Sequence, residues 1–311
     1  MNRILLIRGG AIGDFVLTLP ALKALRDANA GAQIEILGYK HIAELAHNRF
    51  YANQVRSIEY APLSRFFAKD SELASELTEY FATFDLIITY LYDPDKIFEN
   101  NLRRCGVRKI VRGPPKIDTY DHAARQLAEP IEALGLKVDD LGARFYPSAE
   151  DREFARDFLR DCRPPIVAFH PGSGSEKKNW PLNNWIKIGN CLLASENFRG
   201  SILVVSGEAD QSQTARLESI WNNRYVRFAK HLPLPRLAAV LEHLIFVGHD
   251  SGISHLAAAA GANCILLFGP TDPDVWAPRN ENVRVIRASN GNLNELRLET
   301  VLDALPMWER P

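Results

Sequence analysis

The stretch Ile4-Leu5-Leu6-Ile7-Arg8-Gly9-Gly10-Ala11-Ile12-Gly13-Asp14 runs an apolar strand into a glycine-containing loop, and the amphipathic stretch Phe15 to Ala28 continues from it. The strand is apolar on both faces, as strands covered by crossover helices on either side are. A second apolar run, Ile34 to Leu37, follows the helical stretch, completing a βαβ unit. Outward from there the same alternation predicts strands at Val55 to Ile58, Leu86 to Thr89 and Lys109 to Val111. It weakens between Arg144 and Pro165, where Tyr146-Pro147-Ser148 reads as a turn and helix N-cap and Arg163-Pro164-Pro165 as a break. It then restarts with Ile166 to Phe169, Ile202 to Val205, Val226 to Phe228, Leu244 to Val247, Cys264 to Phe268 and Val283 to Ile286. The expectation is an α/β chain of two Rossmann-like domains, residues 1–160 and 161–311, with parallel sheets facing across a cleft. The 311 residues agree, being about twice the commonest domain size.

Composition narrows the function. Thirty-seven basic residues against 38 acidic ones leave a formal charge of −1, balanced in both halves, which argues against nucleic acid as the main partner. The cysteines, Cys105, Cys162, Cys191 and Cys264, lie far apart without zinc-ligand spacing, so reduced thiols and no metal are expected. The strand-like run directly after Met1 leaves no room for a signal peptide, and no stretch reaches the roughly 18 apolar residues of a membrane span. A cytoplasmic protein is expected, one that at most touches the inner membrane from that side.

In open α/β sheets, ligands bind beyond the carboxyl ends of the strands. The first loop there, Arg8 to Asp14, departs from the dinucleotide fingerprint: its third glycine is displaced, and the second strand ends in Gly38 with no acid placed for a ribose. Asp14 is either a helix N-cap or a carboxylate presented to a ligand. The second loop reads His170-Pro171-Gly172-Ser173-Gly174-Ser175-Glu176-Lys177-Lys178-Asn179-Trp180-Pro181. Its amides around Ser173 and Gly174, with Lys178 as a point charge, suit a diphosphate, and it lacks the Walker A ending. The third, Gly248-His249-Asp250-Ser251-Gly252-Ile253-Ser254-His255, opens an alanine-rich helix whose free amides attract an anion. Ser251 and Gly252 would touch phosphate oxygens, whereas His255 either bonds the ligand or packs against the loop. A Ser-His-Asp hydrolase fits poorly, for there is no G-x-S-x-G elbow and Asp250 is read as a cap. Glu208 after Ile202 to Val205 could accept bonds from a nucleoside, and Thr271 in Gly269-Pro270-Thr271-Asp272-Pro273 could reach the ligand.

Together these loops resemble glycosyltransferase family 9, the bacterial heptosyltransferases of GT-B architecture. The resemblance rests on Arg8 to Asp14 with Thr18-Leu19-Pro20-Ala21-Leu22, on His170-Pro171-Gly172-Ser173 with Lys178-Asn179-Trp180-Pro181, on Asp250-Ser251-Gly252 with His255-Leu256-Ala257, and on Phe268 to Pro273. It implies transfer of a sugar, typically heptose from ADP-heptose, to a lipopolysaccharide-core acceptor, with inversion and without a metal or other cofactor. Under it Asp14, beside Gly13, matches the general base, Lys178 the diphosphate lysine, Asp250-Ser251-Gly252 with His255 the nucleotide-diphosphate loop, and Glu208 the nucleoside-recognising position. The first domain would then bind the acceptor and the second the nucleotide-sugar donor. A non-catalytic nucleotide-sugar-binding protein of the same fold is the alternative from another class. The stretch Leu63 to Glu72 is only lightly basic where the family tends to hold phosphorylated lipid. A separate cluster at Arg103, Arg104, Arg108, Lys109, Arg112 and Lys116 is either an acceptor site or a solvated face, and Phe66-Phe67 either a membrane wedge or core.

Overall fold

The computed structural model describes residues 2–207 and 210–306, which fall into two compact units, Met1–Leu141 and Gly142–Pro311. In the first unit β1 (Arg3–Arg8), β2 (Gln33–Gly38), β3 (Gln54–Ser57), β4 (Leu86–Thr89) and β5 (Ile110–Arg112) form one parallel sheet in the order β3-β2-β1-β4-β5. Central β1 pairs Ile4 with Ile34 on one side and with Leu86 on the other. Its residues Ile4 to Ile7 are buried, as a strand between two helical layers must be. The helix Ile12–Ala28 is less amphipathic than its sequence suggests, since every residue from Phe15 to Leu22 is buried. It packs against the helix Ala123–Glu132, and its burial runs right round the turn, so more than one face needs apolar residues.

In the second unit β6 (Ile166–His170), β7 (Ser201–Ser206), β8 (Val226–Lys230), β9 (Ile245–His249), β10 (Asn263–Phe268) and β11 (Val283–Arg287) are parallel in the order β11-β10-β9-β6-β7-β8. All eleven expected strands are present, and both sheets are Rossmann-like. The order reverses between β1 and β4 in one sheet and between β6 and β9 in the other, the switch points where doubly wound sheets open a ligand crevice. The loops singled out above leave the ends of β1, β6, β9 and β10.

The boundary between the units lies at Leu141/Gly142, not at 160/161. Segment 142–160 is tied to the second unit by tertiary contacts: Phe145 N donates to Ala259 O at 2.8 Å, Asn280 Nδ2 to Ala143 O at 2.8 Å, and Arg152 pairs with Glu242 at 3.2 Å. The Ser148 cap expected of the helix Ala149–Leu159 is present, its hydroxyl accepting from Asp151 N at 3.1 Å.

Phe66 is core, packed 4.9 Å from Phe81, whereas Phe67 is exposed and leans on Phe98. Among the described residues no helix is long and apolar enough to cross a membrane.

Candidate functional site

In the first unit the helix starts at Ile12 with Ala11 as its N-cap, so Asp14 stands in the first turn rather than at the cap. Gly13 lies beside it in that turn. Asp14 Oδ2 accepts the Ala11 amide at 3.0 Å, one half of a capping box. Gly10, at φ +101°, allows this: a Cβ there would lie 2.9 Å from Asp14 Oδ2. Arg8, 6% exposed, donates through Nη2 to the Asp14 carbonyl at 3.3 Å and through Nε to Thr18 Oγ1 at 3.2 Å. The same guanidinium sits 3.8 Å from Asp14 Oδ1 and 5.3 Å from the Tyr90 ring centre. Burial pulls the Arg8 pKa below its ordinary value, and the Asp14 charge opposes that shift. The Asp14 side chain remains 32% exposed, a carboxylate held by Arg8 and Ala11 yet still partly open to solvent.

In the second unit the loops after β6 and β9 converge. Lys178, on the short turn Glu176–Lys178, places Nζ 2.6 Å from Asp250 Oδ2. His255 Nε2 lies 3.9 Å from the other carboxylate oxygen. Lys178 is therefore not the lone mobile cation its sequence context suggests, and Asp250, 7% exposed, orients it. Nor is Asp250 the helix cap. That duty belongs to Ser251, whose hydroxyl accepts Ser254 N at 3.3 Å at the start of the helix Gly252–Ala259. The Ser173 hydroxyl is engaged inside its loop, 2.7 Å from Asn179 Oδ1 and 2.8 Å from Ser175 O, while a Cβ at exposed Gly174 would meet nothing. Thr271 Oγ1 is buried without a partner among the described residues, beside the helix Pro273–Trp276 that Asp272 caps. Glu208 lies outside the described residues. Of the basic cluster, Arg103 pairs with Glu99 at 2.7 Å, Arg104 donates to Asn101 Oδ1 at 2.8 Å and Arg112 to Asp93 O at 2.6 Å, so these three are engaged by their own unit.

Three more side chains at these loops, His170, His249 and Asp210, are buried, and of them Asp210 carries no local signal in the sequence. His170 Nε2 lies 3.2 Å from Asp210 Oδ2, with 4% and 5% of the side chains exposed. Burial raises the Asp210 carboxyl, but the hydrogen bond from His170, with the Gly207 amide, outweighs it and holds the group below its ordinary value. His249 is pushed down to about 3 by burial and by the neighbouring His170, so it stays neutral and accepts the Trp180 amide through Nε2 at 2.8 Å. Gly172 closes the cluster: a Cβ there would lie 1.7 Å from Asp210 Oδ1 and 2.2 Å from its Cγ. Gly172→Ala should therefore cost about 1–3 kcal/mol of stability by overpacking. A melting temperature equal to that of the unaltered chain would show that Asp210 can step aside.

A sequence model described as glycosyltransferase family 9 (heptosyltransferase) matches residues 108–305. Lipopolysaccharide heptosyltransferase 3 of Escherichia coli K12 is 42% identical over 302 residues, covering 89% of this chain and 86% of that protein. The chain belongs to glycosyltransferase family 9.

Within family 9, lipopolysaccharide heptosyltransferase 1 of E. coli K12 is 32% identical over 189 residues, a match spanning 59% of this chain and 58% of that relative. The solved E. coli heptosyltransferase WaaC with ADP shares the fold, at a TM-score of 0.72 and 20% identity over 97% of this chain and 98% of that one. Among the described residues no group of three or more His, Cys, Asp or Glu stands together as a metal cluster.

Proposed function

We propose that the chain transfers a sugar, heptose from ADP-heptose, to a lipopolysaccharide-core or related glycan acceptor, with inversion at the anomeric carbon. The observation that carries this reading is the convergence, in one unit, of the Lys178 ammonium and the amide-bearing helix start at Ser251-Gly252. A nucleoside diphosphate leaving group needs stabilisation as the bond from the sugar carbon to phosphate oxygen lengthens, and these groups supply it. The family membership and the ADP bound by the solved relative fit that donor.

In the proposed step the acceptor hydroxyl oxygen attacks the anomeric carbon, its proton passes to the Asp14 carboxylate, and ADP departs with the bonding pair. Ser173 shapes the donor loop, Gly13 and Gly174 let substrate approach the backbone, and Thr271 and Glu208 contribute to the nucleotide side. A glycolipid acceptor would hold the protein at the cytoplasmic face of the inner membrane. Lys178→Ala is expected to weaken ADP binding about 10- to 100-fold, since a charge-assisted bond to phosphate contributes about 1.5–3 kcal/mol. Calorimetry with ADP checks it, and unchanged affinity would remove the ammonium from the donor site.

A further inference from the structure

Asp210 and His170 form a nearly enclosed polar pair 3.2 Å apart, and nothing in the proposed chemistry employs either. Apolar side chains of similar volume would commonly be as stable there. The far side of the ring suggests what the pair does. His170 Nδ1 lies 3.4 Å from Ser251 Oγ, the hydroxyl that caps the helix whose amides would face the phosphate under the donor reading. We propose that Asp210 and His170 are positioning residues for the nucleotide diphosphate, acting through the Ser251 hydroxyl. The inference rests on the donor-loop reading above.

In the proposed arrangement the carboxylate accepts the hydrogen on His170 Nε2, and Nδ1 presents its lone pair. Ser251 has one hydrogen to place. Ser254 Oγ, 3.1 Å away, gives its own hydrogen to His249 O, leaving Ser254 Oγ and His170 Nδ1 as acceptors for Ser251. With Nδ1 accepting, the Ser251 oxygen turns its lone pairs to Ser254 N, and the amides of the helix start stay aligned for an anion. Were the proton on Nδ1, the ring would donate to Ser251 Oγ and compete with Ser254 N for the cap.

The groups around the ring favour the first arrangement. Asp210, from the segment before the helix Gln211–Ile220, is the anion on Nε2. From β9 come neutral His249 and the Phe246 ring, stacked 6.5 Å away. The Lys178–Asp250 pair stands next in sequence to Ser251. In a nucleophilic triad it is Nε2 that faces the serine. Here the nitrogens are reversed and the serine oxygen is a cap, so this constellation orients and does not attack.

The test is a double-mutant cycle read by ADP calorimetry on the full chain, with Asp210→Asn, Ser251→Ala and the pair. The asparagine amide would donate to Nε2 and drive the ring proton to Nδ1. Each single variant should weaken ADP about tenfold, and the double variant should bind no more weakly than Ser251→Ala alone. Nitrogen NMR should place the ring proton on Nε2 in the unaltered protein and on Nδ1 in Asp210→Asn, a signature that a packing role would not produce. Should Asp210→Asn fail to fold, His170→Gln takes its place in the cycle, since its amide still meets Asp210 but offers Ser251 nothing. Factors that multiply in full, unchanged affinity in Asp210→Asn, or a proton on Nδ1 from the start, alone or together with one on Nε2, would overturn the inference and leave the donor loop standing. Unchanged affinity in Ser251→Ala would overturn both.

Discussion

Asp14→Ala should lower the rate of sugar transfer by about two to four orders of magnitude, the usual contribution of a general base, while ADP binds as before. The carboxylate has two duties that a single alanine would confound. It accepts the Ala11 amide in the first turn, and losing such a cap costs about 0.5–2 kcal/mol. It also presents the site's partly open acid, a third exposed, beside the buried Arg8 guanidinium. Asp14→Asn separates them, because the side-chain oxygen can still accept from Ala11 while the amide is no base. Transfer from ADP-heptose should be lost in both variants, with the melting temperature lowered chiefly in the alanine. An asparagine variant that still transfers would reduce Asp14 to a helix-capping residue.

The difference between what the sequence disclosed and what it withheld follows the range of the interactions. Strands were legible because residues such as Ile4 to Ile7 and Cys264 to Phe268 must be apolar on both faces, a demand written into consecutive positions. The ligand loops were legible for the same local reason, as glycine, serine and lysine directly follow those runs. Strand ends were less so: β6 and β9 extend to His170 and His249, polar residues that read as loop but are buried. Asp210 gave no local sign at all, since it matters through a contact with a residue forty positions earlier in the chain. The unit boundary failed in the same way, for the capped helix at Ser148 was visible, yet the unit it packs against is decided by partners such as Glu242. Asp250 and Ser251 exchanged duties because either can cap a helix, and only the Lys178 contact shows which does not.

Trp180 binds these local and distant features into one mechanical unit, and its truncation should have the largest effect on stability. The side chain is 1% exposed, its ring meets Trp185 edge-on at 5.4 Å, and its indole Nε1 donates to Leu296 O at 3.0 Å. Its backbone amide is the donor to neutral His249, and its neighbour Asn179 anchors Ser173. Trp180→Ala should cost about 3–5 kcal/mol from the cavity, with the Leu296 carbonyl left unpaired as well. For a unit of this size that corresponds to a fall in melting temperature on the order of 10 °C. Because the residue tethers the loop bearing Lys178, ADP affinity should fall too, measured below the melting transition. Trp180→Phe refills much of the volume without the indole donor, so it should recover most of the stability and of the ADP affinity. An alanine variant that melts like the unaltered chain but binds ADP poorly would mean that Trp180 touches the nucleotide instead of holding the loop in place.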